Sequence, residues 1–278
     1  TVQDTTDYKT LRRFFLWSSD DTIKKTIDTT TQWGRTTPGQ YPFKMHYKSP
    51  FPAGNVHRRN EPVATDYVYS DTPAIDDGST GAQFFYGLKT EAVDVYGCKT
   101  DAQFVDTLED NIRKRGAMDK LISDRAKSEI SKRTLDMLRY YIIGDWQSEP
   151  YHEHQNPAER KYQDVKNKTN QVLDFTGAPA YTWLLAMTYV CYILNLLASH
   201  SLGGIPPLTA LTGQTQDISH LFIYSFWDSV YVPVKSKLKY DDKPGFPSEA
   251  TEETGRFVGF GDSVGTAYTY KVLLDKTN

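Results

Sequence analysis

Between Val63 and Ile143 the hydrophobic periodicity changes in a set order (strand, strand, strand, helix, strand, helix, strand), and that order leaves few ways to bury a core. VATDYVYSD, beginning at Val63, is rich in β-branched and aromatic residues. Asp76-Asp77-Gly78 supplies a hairpin-type turn, and AQFFYGLKT and AVDVYG follow as two more strands. These segments predict a three-stranded antiparallel meander. Thr100 and Gln103 have capping-box spacing, Phe104, Leu108 and Ile112 recur every four residues, and Gly116 supplies a stop, so a helix is expected over 101–115. A short strand ending in Lys120-Leu121-Ile122-Ser123-Asp124 comes next. A helix from about Ser128 to Tyr141, with Ile130, Leu135 and Leu138 inward, and a strand at Ile142-Ile143 complete the series.

An α/β fold of the RNase H-like kind has this order, a mixed five-stranded sheet with flanking helices. Beyond it, Asn156 caps a third helix that Pro157 opens, with Ala158, Tyr162, Val165 and Val172 on its apolar face. The run WLLAMTYVCYILNLLA, from Trp183 to Ala198, is nearly all apolar, but its 16 residues fall short of the roughly 20 that cross a bilayer. It is expected as a helix buried in a core or an oligomer interface, not in a membrane. The last quarter, with SFWDSVYVPV, GRFVGFG and TAYTYKVLL, is strand-like and broken by Lys243-Pro244-Gly245, Pro247 and Gly255. Three regions are therefore predicted: an extension or linker over 1–60, a core over 61–222 and a small β-barrel over 223–278. Within the first, Leu11 to Trp17 and SSDDTIKKTID suggest a short helical region capped near Ser18 or Ser19. The prolines and glycines from Pro38 to Gly54 then read as a linker or arm.

Composition excludes several classes. With 38% hydrophobic and 24% charged residues the chain is neither disordered nor a membrane protein by composition. Cys98 and Cys191 are too few for a disulfide framework or a four-ligand zinc site, which makes a reducing, intracellular compartment the expectation. The chain opens at Thr1 with no secretory or transit signal, and is read as a piece of something longer. A net charge of −3 argues mildly against nucleic-acid binding, yet basic residues gather at Lys44, Lys48, Arg58 and Arg59, at Arg113 to Arg115, and at Arg160, Lys161, Lys166 and Lys168.

Three acids stand where this fold can use them: Asp71 or Asp66 on the first strand, Asp124 at the end of the fourth, and Glu159 in the first turn of the helix after the loop. Neighbouring strands lie about 5 Å apart, so acids on one face of the first and fourth strands can converge. Magnesium takes a few carboxylates plus water and phosphate oxygens, and two ions about 4 Å apart can serve both the nucleophile and the leaving oxygen. Each acid also has a plain structural reading. Glu159 has capping-box spacing from Asn156, Asp124 can be a strand-end turn residue, and Asp66 and Asp71 can lie on a solvated strand face. Asp76 and Asp77 read as turn formers. His152, Glu153 and His154 lack a third or fourth ligand for zinc and read as loop residues bordering the site. Gln163 and Lys166 follow Glu159 by one and two helical turns and, with Arg160 and Arg125 beside the acids, are the candidate DNA contacts.

Asp124 and Glu159 are 35 positions apart, and Glu159 lies in QNPAER, which looks like the glutamate motif of copia-like retrotransposon integrases, typically Gln-Asn-Gly-Val-Ala-Glu-Arg. YTWLLAMTYVCYILNLLASHSLGGIPPLTALTGQTQDISHL resembles the family's segment from a tryptophan-containing helix to a Leu-Thr-Gly and an aspartate. GRFVGFG followed by AYTYKVLLD resembles its Src-homology-3-like barrel. The resemblance runs from about Pro62 to the C-terminus. It implies an integrase core from a Pol polyprotein, a DDE-type polynucleotidyl transferase in which Asp71, Asp124 and Glu159 hold magnesium or manganese, as two ions. It implies 3′-end processing and strand transfer on double-stranded DNA, both element ends and target, by a homo-oligomer in a virus-like particle and the nucleus. For the first acid Asp71 is preferred, because it sits just before the hairpin; Asp66 is the alternative. The chain departs from the family at Ser123-Asp124-Arg125-Ala126-Lys127-Ser128-Glu129, where Ser-Asp-Asn-Gly-Gly-Glu is common, and the upstream zinc module of two histidines and two cysteines cannot be assembled. Those departures motivate the alternative of a catalytically decayed integrase-like module for DNA binding and assembly.

Overall fold

A computed structural model describes residues 6–34, 56–124, 131–147, 156–233, 252–261 and 268–275. Its larger sheet contains β1 (Arg58–Tyr69), β2 (Gly81–Gly87), β3 (Val93–Cys98), β4 (Ala117–Ser123) and β5 (Gly144–Gln147), in the order β3-β2-β1-β4-β5. The expected meander is present, with β1, β2 and β3 joined antiparallel, while β1, β4 and β5 run parallel. This is the mixed five-stranded sheet that the order of periodicities requires. The first strand starts at Arg58, earlier than Val63, and its register shifts between Arg59 and Pro62, a place where a proline without an N–H is tolerated.

Strand alternation sorts the sheet's side chains onto two faces. Val63, Phe85 and Leu121 face a layer built from α3 (Phe104–Arg115) and α4 (Lys132–Tyr140), through Phe104, Leu108, Ile112 and Leu138. Ala64, Val68, Phe84, Val93 and Val95 face the other layer, α5 (Pro157–Thr176) and α6 (Trp183–Leu196). The capping box of Thr100 and Gln103 is formed, and Gly116 ends α3 at φ +95°, where an added Cβ would lie 2.7 Å from the His57 carbonyl oxygen. The apolar run forms α6, buried almost all round, and no helix among the described residues is long and apolar enough to cross a membrane. Its polar interruption, Asn195, is buried and exchanges two hydrogen bonds with the Val93 backbone on the outer strand β3, at 2.9 and 2.7 Å.

One expectation is corrected. The fifth strand is Gly144–Gln147, not Ile142-Ile143: Ile142 sits exposed at φ +53° in the turn after α4, and Ile143 turns into the core. At the N-terminus, the expected short helical region is present within residues 6–34, and it is packed down. Phe15, Leu16 and Ile23 are fully buried, and α2 (Asp20–Thr29), capped by Ser19, is tied on by the Ala198 amide donating to Thr26 Oγ1 at 2.9 Å. The proline-rich stretch 35–55 lies outside the described residues. At the C-terminus, the described residues form a three-stranded antiparallel sheet of β6 (Ser229–Pro233), β7 (Glu252–Phe260) and β8 (Tyr270–Leu274). Its Phe257 and Phe260, with Phe226, surround Tyr189 of α6 at ring distances of 5.4 to 6.2 Å and belong to the same apolar core.

Candidate active site

The parallel pairing of β1 with β4 matches Val63 to Leu121 and Ala64 to Ile122. Two residues further stand Asp66, still within β1, and Asp124, just past the end of β4. Asp66 is paired across β2 with Phe84, whose ring meets Tyr162 of α5 at 6.1 Å, so it faces the α5 layer. Tyr162 registers the neighbouring charge: burial first, and then the negative Asp66, raise its phenol above the usual range. Ile122 packs on the α5–α6 side as well, and alternation brings Asp124 to the same face. The two aspartates thus share a face on adjacent strands, which lie about 4.8 Å apart.

The start of α5 closes this end of the sheet. Asn156 is its N-cap and is 3% exposed; its side-chain oxygen accepts from the Ala158 amide at 3.0 Å. Its Nδ2 donates to the Thr65 carbonyl oxygen at 2.9 Å and to Asp124 Oδ1 at 3.2 Å. Glu159, half-buried, is in the first turn, three residues after the cap, where a negative charge is favourable at a helix N-terminus. Among the described residues no return bond from Glu159 closes a capping box, so its side chain is not used for that purpose. On the opposite face of β1, Thr65 Oγ1 donates to the Phe84 carbonyl oxygen at 2.9 Å and accepts from Gln83 Nε2 at 2.5 Å, which fixes the strand beneath Asp66.

Asp66 and Asp124 therefore share one face, and Glu159 belongs to the helical turn that Asn156 ties to it. Asp71 does not join them. It lies five residues beyond Asp66, past the end of β1 and exposed, and its neighbour Thr72 accepts from the Trp183 indole at 2.8 Å, at the first residue of α6. Arg160, Gln163 and Lys166 are exposed along α5, as DNA-contacting side chains would need to be. Arg125, His152, Glu153 and His154 lie outside the described residues. Sequence reading missed the second role of Asn156, since a cap residue is recognised by its oxygen and nothing local says where its NH₂ goes.

Among the described residues no group of three or more His, Cys, Asp or Glu is close enough to hold a metal ion. The aspartate pair suits magnesium all the same, because that ion is commonly bound by one or two carboxylates and completed by water and substrate phosphates.

No protein-family model and no curated protein matches the chain. Solved structures similar to it include the HTLV-2 integrase catalytic core domain in complex with magnesium (trimeric form), 16% identical, covering 55% of this chain and 97% of its own, with a TM-score of 0.44. The BIV integrase catalytic core domain is 17% identical over 55% of this chain and 95% of its own, with a TM-score of 0.43. A simian T-cell lymphotropic virus intasome in complex with PP2A regulatory subunit B56 gamma is 11% identical over 78% of this chain and 80% of its own, with a TM-score of 0.45. These neighbours are retroviral integrases. At such identities and scores the likeness assigns neither an activity nor a partner to this chain.

Proposed function

We propose that the chain is the catalytic core of a copia-like retrotransposon integrase, which trims DNA 3′ ends and joins them to a target duplex. The observation that supports it is the β1–β4 register, which brings Asp66 alongside Asp124 on the face closed by the first turn of α5, with Glu159 in that turn. Here Asp66, not the Asp71 preferred from sequence, is the first acid. Asp66 and Asp124 would hold a magnesium or manganese ion, with Glu159 available to a second. Such an ion neutralises charge on a phosphoryl group and lowers the pKa of a bound water. The protein's own part is to hold the carboxylates on rigid strands and to present Arg160, Gln163 and Lys166 to the DNA backbone, which fixes its position without reading sequence. Double-stranded DNA is the substrate in this reading, and the active form is a homo-oligomer acting in a virus-like particle and the nucleus.

The test is metal-dependent joining of oligonucleotide ends by the wild-type chain and by Asp124→Asn. The expected loss is at least about 100-fold, the scale on which removing one transition-state-stabilising group acts. Equal joining by both proteins contradicts the proposal. A second reading, a DNA-binding and assembly module without turnover, is favoured by the departure of Ser123-Asp124-Arg125-Ala126-Lys127-Ser128-Glu129 from the family's Ser-Asp-Asn-Gly-Gly-Glu. It predicts that both proteins bind DNA equally and that neither joins ends.

A further inference from the structure

Capping α5 requires only an oxygen. Pro157 has no N–H, so the first donor to be satisfied is the Ala158 amide, and Asn156 Oδ1 satisfies it. Serine, threonine or aspartate would cap as well. The NH₂ of Asn156 is surplus to that task, and both its protons go to the strands that carry the acids: one to the carbonyl of Thr65, the residue before Asp66, the other to Asp124 itself. With the residue buried, this network also fixes which way the amide faces, since a flip would set its oxygen against two acceptors. Only asparagine among the good caps offers an acceptor to the helix and two donors to the strands at once.

We infer that Asn156 is a positioning residue for the carboxylates: it orients Asp124 and anchors the turn that carries Glu159 to β1 and β4. The inference rests on the reading of Asp66 and Asp124 as metal-holding acids. A partner that orients a metal-binding carboxylate is worth about 10- to 100-fold in metal affinity.

The experiment measures manganese binding by calorimetry, with the metal alone, together with the thermal midpoint, for wild type, Asn156→Ala, Asn156→Ser, Asp66→Asn and Asp124→Asn. Serine retains the cap oxygen and lacks the two donors, so N156S should unfold closer to wild type than N156A does. Its manganese affinity should still fall by about 10- to 100-fold, as it does in N156A. If affinity instead follows the thermal midpoint across wild type, serine and alanine, Asn156 is a cap and the inference is wrong. If N156S binds within about two-fold of wild type while D66N and D124N lose binding, the inference also fails and the proposed function stands. If D66N and D124N bind as wild type does, or wild type binds no manganese, the proposed function falls and the inference with it.

Discussion

Asp94, on β3, shows what a buried carboxylate does when it is not part of the candidate site. Arg115 donates to both its oxygens at 2.8 Å, and Lys114 lies 3.3 Å away. Burial alone would raise its pKa, but the two cations outweigh burial and hold it at about 2. A carboxyl depressed in the folded state contributes stability that is complete above its unfolded pKa of about 3.9 and is lost as the pH falls through the folded value. From about pH 4 to about pH 2, folding should therefore lose about 2 kcal/mol through this group. Between those pH values the unfolding free energy from urea titrations should fall by about 2 kcal/mol more in wild type than in Asp94→Asn; equal falls would show that the pair does not act. Arg59 and Glu61 form a second buried pair, in which Glu61 also accepts from the Lys89 and Thr90 amides at 3.0 and 2.9 Å and so clasps the β2–β3 turn. Glu61→Ala strands the Arg59 charge and should cost about 3–5 kcal/mol, measured by equilibrium unfolding.

The elements whose signals are local were legible in the sequence. Ser19, Thr100 and Asn156 cap the helices they were expected to cap, Gly116 stops α3, and the meander runs as its alternation requires. What failed depended on which surface covers which. The Ile142-Ile143 doublet looks like a strand, but α4 ends in a turn there and the chain pairs with β4 only from Gly144. The strands of the last quarter were visible, but not their partner. A signal existed: a helix apolar all round needs cover on more than one side. α6 takes the five-stranded sheet on one side and β7 on another, with Tyr189 set among Phe226, Phe257 and Phe260. Tyr189→Ala should accordingly cost about 3–5 kcal/mol, as large aromatic truncations in a core do. A cost below about 1 kcal/mol would mean that this contact contributes little.

At the scale of the whole molecule, among the described residues, 6–34, the five-stranded sheet with α5 and α6, and the C-terminal strands share one apolar core. Thermal unfolding followed by far-ultraviolet circular dichroism and by tryptophan fluorescence should then give one coincident transition, and two separate transitions would contradict the shared core. The candidate site was half legible. Asp124 and Glu159 stood out by position, but the choice between Asp66 and Asp71 depends on a strand register that one sequence does not reveal, because β4 pairs with β1 only after the chain has passed through two more strands and a helix. The measurement that tests the central claim most directly is metal-dependent end joining by Asp66→Asn and Asp71→Asn beside wild type. D66N should lose at least about 100-fold and D71N should stay within a few-fold of wild type; an active D66N with an inactive D71N would contradict the account.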